Sequence, residues 1–317
     1  MIHKVELLPV RTKEIAHWAR LTVEGLACVE LAGEAEAARE FMDEPKESRQ
    51  RAYLAWSGGR PVARLRLKEE GERARTWAIG LAPEARTPAL RTAVVKAAEE
   101  WARGSGARQL LSEVETDMAG AFAAAGHRTQ RVRVSMRARL ERRPVLCELP
   151  MHHVYLAGED EAQALARLYY ESYLGTIDDE GEGPEGALAE ARKTAEGEYG
   201  TFLPACSFAL EREGALAGAV LVTEAEDAVL LAEVMVHPLA RGRGYARPLI
   251  QAAINASLDA GWQEMILMVT LGNVPAEGLY RRMGFRPDPG CEWHYFDKDL
   301  DRDGNESMTT ARGEGIS

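Results

Sequence analysis

One order of secondary-structure signals occurs twice along this chain, and a repeated order of elements is the mark of a fold built from two copies of one unit. In the first copy, Tyr53–Ser57 and Pro61–Leu67 read as strands joined across Gly58-Gly59, and Thr76–Leu81 as a strand ended by Ala82-Pro83. Thr92–Ala102 has helical apolar spacing and closes on Gly104 and Gly106. A strand at Gln109–Val114, a short helix at Met118–Ala125 and a strand at Arg131–Leu140 follow. The second copy opens with a helix carrying Leu165, Leu168, Tyr169 and Tyr173 on one face. An acidic, glycine-rich interruption at Gly175–Gly186 precedes a helix over Leu188–Glu198. Strands at Ser207–Arg212 and Ala217–Thr223 meet across Glu213-Gly214, and Val229–Val236 is a strand ended by His237-Pro238. Leu249, Ile250, Ala253, Ile254 and Leu258 then form a helical stripe closed by Gly261. Met265–Val269 is a short strand, a helix through Leu279 and Met283 ends at Gly284-Phe285, and a last strand lies near Trp293–Phe296. Setting Pro83 on Pro238 places Arg86 on Arg241 and Gly106 on Gly261 without a gap.

A chain of 317 residues holds two ordinary domains. Pro144 and Pro150 interrupt the pattern and put the boundary near residues 143 and 144. The expected division is 1–143 and 144–298, with a polar tail over 299–317. A net charge of −11 speaks against nucleic acid or an anionic membrane as partner, since both need a basic face. No apolar run reaches the ~18–20 residues of a membrane helix, and Met1–Arg20 carries too many charges for a signal peptide. A cytoplasmic protein with four reduced cysteines (Cys28, Cys147, Cys206, Cys291) is the corresponding expectation. Those cysteines have no metal spacing, and Asp299-x-Asp301-x-Asp303 lacks the glutamate that would complete a calcium loop, so no metal is expected.

The segment from Val236 to Ala246 joins a strand to a helix, and it contains Arg241-Gly242-Arg243-Gly244-Tyr245-Ala246. Glycines there let the backbone approach a ligand, and the free amides of a helix N-terminus suit a pyrophosphate. Downstream lies Asn273-x-x-Ala276-x-x-Leu279-Tyr280-x-x-x-Gly284-Phe285. The two segments, in this order and separation, resemble the GCN5-related N-acetyltransferase (GNAT) superfamily. The first is similar to its pyrophosphate loop and the second to the element that contacts the pantetheine arm.

The resemblance implies an α/β (α+β) fold of two tandem GNAT-like domains, each a mixed, mostly antiparallel sheet flanked by helices. It implies acetyl transfer from acetyl-CoA to an amine of a small or peptide-like acceptor, without a metal. Tyr280 then takes the place of the general acid, with a packed core tyrosine as the plain alternative. Glu233 is the candidate general base, or a solvated strand carboxylate. Asn273 is similar to the residue that positions the pantetheine and is equally good as a helix N-cap. Met235 and Val236 would offer backbone groups to the pantetheine, and Arg241, Gly242, Arg243, Gly244, Tyr245, Ala246 and Ala276 complete the donor-binding set. Asp178, Asp179 and Glu180 lie where the family walls its acceptor site, and carboxylates there attract an amine. The tandem layout is also similar to that of mycothiol synthase. A non-catalytic acyl-CoA-binding module and a duplicated scaffold remain the other readings, and the oligomeric state stays open.

In the gap-free overlay the first copy departs from this pattern. Ala89 faces Gly244, Arg91 faces Ala246, Pro88 faces Arg243 and Ala78 faces Glu233. Counting back from Gly126-His127 puts Phe122 at the place of Tyr280. The first domain is therefore expected to have lost CoA binding.

Overall fold

The computed structural model describes residues 4–26, 31–156, 158–181, 183–225 and 227–301. In chain order the elements are β1 (Glu6–Pro9), α1 (Ile15–Gly25), α2 (Glu34–Asp43), α3 (Lys46–Arg49), β2 (Ala52–Ser57), β3 (Arg60–Glu70), β4 (Arg73–Leu81), α4 (Pro88–Gly104), β5 (Gln109–Glu115) and α5 (Thr116–Ala124). They continue with β6 (Arg128–Arg139), β7 (Met151–His153), α6 (Glu159–Tyr173), α7 (Gly183–Glu196), β8 (Phe208–Arg212), β9 (Ala215–Ala225), β10 (Ala228–Val236), α8 (Ala246–Asp259), β11 (Glu264–Thr270), α9 (Val274–Arg282) and β12 (Arg286–Asp299). Helix α7 begins inside the acidic stretch expected to be a loop, because the first-turn Glu185 suits the positive end of a helix.

The chain divides into two compact units, one of residues 1–132 with 289–317 and one of residues 133–288. In the first, the strands run β1-β2-β3-β4-β5-β12; in the second, β6-β11-β10-β9-β8-β7. Each sheet is antiparallel apart from one parallel pair, β4 with β5 and β10 with β11. This is the mixed, mostly antiparallel architecture that the resemblance implies.

The division differs from a cut at residue 143 through an exchange of strands. Most of β6 joins the second unit, pairing antiparallel with β11 from Arg133↔Thr270 to Arg139↔Glu264. Strand β12 closes the first unit, pairing with β5 from Trp293↔Glu115 to Asp299↔Gln109. Side-chain alternation tells which face of a strand is buried but not which neighbour it joins. Asp299, where the polar tail was expected to begin, thus ends a strand and Leu300 is buried, and residues 302–317 of that tail lie outside the described residues. Cys147 and Cys206 are free, but Cys291, on the returning strand, is disulfide-bonded, which corrects the expectation of four reduced cysteines.

Two apolar layers sandwich the second sheet. On one side α8 and α9 bury Leu249, Ile250, Ala253 and Tyr280 against Val229, Leu231 and Leu267. On the other, α6 buries Leu165 and Leu168 against Leu221 and Met235. Strand β10 serves both layers because a bulge at Ala232 breaks its register, with Leu231 opposite Val222 but Glu233 opposite Leu221. The extra residue moves Glu233 and Met235 to the α6 side, away from Leu231. No helix among the described residues is long and apolar enough to cross a membrane.

Candidate active site

Strands β10 and β11 are bonded only at Val229↔Met265 and Leu230↔Ile266, although β10 continues to Val236 and β11 to Thr270. Beyond Leu230 the two strands part, leaving the β11-facing edge of Met235 and Val236 outside any ladder. On its other edge this end of β10 is held tightly: a Cβ added to Gly218, opposite Val236, would lie 2.8 Å from the Met235 carbonyl oxygen.

The loop after β10 is shaped by glycines that must be glycines. Gly242 has φ +75° and Gly244 φ +81°, a region that L side chains enter only with strain. Helix α8 then starts at Ala246 after Tyr245, and no side chain caps its first turn. Its N-terminal amides are left for an anion, and Arg243 and Arg247 are exposed beside them. The equivalent helix α4 closes the same position on itself. Thr87 accepts a hydrogen bond from the Leu90 amide, Pro88 removes an N–H, and Arg91 pairs with Asp117 across the helix start.

Arg241 was expected among the donor-binding residues, and its guanidinium is engaged elsewhere. It donates to the Ser172 carbonyl at the end of α6, and its Nε lies 3.4 Å from the Val236 carbonyl oxygen. Arg86, its counterpart in the first unit, donates in the same way to Glu24 O at 2.8 Å, near the end of α1. A contact kept in both copies is part of the shared scaffold.

Asn273 caps α9: its Oδ1 accepts from the Ala276 amide at 3.3 Å. Its Nδ2 donates to Asp178 at 3.0 Å, and the Thr270 hydroxyl donates to the other oxygen of the same carboxylate. The acidic residues therefore divide. Asp178 ties the loop after α6 to the end of β11 and the start of α9. Asp179 accepts from the Gly175 and Gly181 amides at 2.7 and 2.9 Å, bonds that hold it below its ordinary pKa. Glu180 pairs with Arg133 at 3.2 Å.

Glu233 and Tyr280 come together. Glu233 keeps some accessible surface but lies deep in the unit. Burial raises its pKa to about 7; the Tyr173 hydroxyl and Arg133 oppose the rise, and Glu190 and Asp178 add to it. A carboxyl poised there exchanges its proton near neutrality, as a general base should. Tyr280 is 7% exposed, and burial first, then the charges of Glu233 and Asp178, keep its phenol protonated far above its ordinary range. Its ring meets Phe285 edge-on at 6.0 Å, and its hydroxyl makes no side-chain hydrogen bond among the described residues. A neutral donor of this kind suits a departing thiolate.

Sequence reasoning did not single out Tyr173 as a site residue. Its hydroxyl donates to Glu233 at 2.6 Å. The one signal was its place on the buried face of α6 with Tyr169 and Leu165, which equally well marks a core position. No group of side chains able to hold a metal ion occurs among the described residues.

Residues 160–285 match the model of the acetyltransferase (GNAT) family. A Bacillus subtilis (strain 168) protein named "Putative ribosomal protein bS18-alanine N-acetyltransferase" is 26% identical over 87 residues, or 27% of this chain. The chain spans 57% of that relative's length. A GCN5-related N-acetyltransferase from Sphaerobacter thermophilus has the same fold, with TM-score 0.71 and 19% identity over 93% of this chain and 96% of its own. A tandem GNAT protein from the clavulanic acid biosynthesis pathway matches over 94% of this chain and 99% of its own, with TM-score 0.61 and 18% identity.

Proposed function

We propose, from the match of residues 160–285 to the model of the acetyltransferase (GNAT) family, that the second unit moves an acetyl group from acetyl-CoA to an amine. The observation that carries the proposal is that Glu233 stands on β10 past its last pair with β11, near enough for its charge to act on the Tyr280 phenol. The glycine loop and the uncapped start of α8 fit the pyrophosphate, and the free edge at Met235 and Val236 fits the pantetheine amides. Acetyl-CoA supplies the activated acyl group and a thiolate leaving group.

The protein's own residues supply the proton movements. Glu233 takes a proton from the acceptor ammonium, whose pKa near ~10 leaves little free amine at neutral pH. Tyr280 gives a proton to the departing sulfur. Asp178 and Glu190, near enough to raise the Glu233 pKa, make the surroundings favourable for a cationic acceptor. The first unit, with Thr87, Pro88 and the Arg91–Asp117 pair at its helix start and Phe122 in place of the acid, is read as not binding CoA.

A screen of amine acceptors with acetyl-CoA, following release of free CoA thiol, tests the reaction. Turnover that falls in Tyr280→Phe supports acyl transfer. Acetyl-CoA binding with no turnover on any amine would leave an acyl-CoA-binding module.

A further inference from the structure

Three consecutive residues at the end of α6 are fastened to β10 and the loop that follows it. Glu171 pairs with His237 Nε2 at 2.9 Å, the Ser172 carbonyl accepts from Arg241, and the Tyr173 hydroxyl donates to Glu233 at 2.6 Å. Tyr173 is also braced by Tyr169, ring to ring at 4.7 Å and nearly edge-on. Its ring is thus braced by Tyr169 and its hydroxyl is committed to Glu233.

We propose that Tyr173 is a positioning residue, whose hydroxyl fixes the rotamer of the Glu233 carboxylate and holds it in the charged form that accepts a proton. The inference rests on the acyl-transfer reading of this site. The groups facing Glu233 explain why such a holder is needed. Glu190 on α7 and Asp178 on the loop before it disfavour its charge, as does its depth. Tyr199, whose hydroxyl is given to Glu190, and Tyr280 on α9 are neutral neighbours. Arg133 on β6 favours the charge from a distance but is already paired with Glu180. Tyr173 is the direct hydrogen-bond donor to Glu233 among the described residues, and losing a donor to the ionised form raises a carboxyl pKa.

The test is the pH dependence of kcat/KM for Tyr173→Phe, with the Glu233 carboxyl titrated independently by infrared difference against Glu233→Gln. The carboxyl midpoint and the acid limb of the rate profile should both move up by about one pH unit, so the variant loses about tenfold below the limb and recovers in alkali. Substituting 3-fluorotyrosine at position 173, a stronger donor of the same size, should move both the other way and needs no cavity to be tolerated. A carboxyl midpoint unchanged in both variants overturns the proposal, as does a loss of rate that is the same at every pH. The infrared titration requires no turnover. A shifted midpoint in a protein that acetylates no amine would therefore sink the acyl-transfer reading and leave the Tyr173–Glu233 coupling standing.

Discussion

Tyr173 and Glu233 stand 60 positions apart on a helix and a bulged strand, and their side chains meet at 2.6 Å. The bulge at Ala232 makes the meeting possible, since regular alternation from Leu231 would have turned Glu233 toward α8. A carboxylate has thus been set into the face of the sheet that otherwise buries Leu221 and Met235.

The raised Glu233 pKa gives two pH effects of defined sign. With a folded value of about 7, the basic form needed for catalysis fills in as pH rises, so kcat/KM should climb between about pH 6 and 8. The same group weakens the fold as it ionises. Its pKa in the folded state, about 7, exceeds the ordinary carboxyl value of 4.5, so the folded state binds the proton more tightly and stability falls as pH rises from about 4.5 to about 7. Glu233→Gln should raise the melting temperature at pH 8 and leave it nearly unchanged at pH 4, read by scanning calorimetry at both.

Removing the Tyr280 hydroxyl should lower kcat by about 10²–10³, within the range of a lost general acid. The dissociation constant for acetyl-CoA should stay within about twofold. An equal loss in both would return Tyr280 to the role of a packed core residue.

Gly218→Ala should destabilise the second unit by about 2–3 kcal/mol. The new Cβ would lie 2.8 Å from the Met235 carbonyl oxygen and 3.1 Å from Leu249 Cδ1, and the first of these is backbone that cannot turn aside. Thermal unfolding of this variant against Gly214→Ala, where the added Cβ meets open space but φ is +77°, separates crowding from turn strain.

Lys298, on the returning strand β12, donates to Ala125 O at 2.8 Å and pairs with the buried Glu99 of α4 at 3.2 Å. His127, at 3.0 Å, and Arg103, at 3.4 Å, are the other partners of Glu99 among the described residues. Lys298→Met takes one of these three partners from Glu99, leaving His127 and Arg103, and should cost about 1.5–3 kcal/mol, the order of a hydrogen bond to a charged group. Loss of protection in the first unit, followed by hydrogen exchange at β5 and α4, would show that the last strand is part of that unit's core.

Much of the fold was legible in the sequence. Strands around the Gly58-Gly59 and Glu213-Gly214 turns, the helix stripe from Leu249 to Leu258 and the glycine loop all declare themselves through period and punctuation. The strand exchange did not, because the alternation in Arg131–Leu140 is the same whichever edge it joins. The motif residues declare themselves in the sequence, but their side-chain contacts were only half visible. Asn273 is indeed a cap, yet its amide also grips Asp178, a contact 95 positions away in the chain that no spacing reveals. Arg241 looked like a phosphate ligand until the parallel bond made by Arg86 showed what such an arginine does in both units.

Calorimetric titration of acetyl-CoA into the intact chain, and into the double variant Gly244→Pro/Ala246→Arg that copies the first unit's arrangement, tests the central claim most directly. One site per chain, abolished by the double variant, is the predicted result. Two sites, or one that survives the double variant, would contradict the assignment of the donor to the second unit, and no binding at all would contradict acetyl transfer itself.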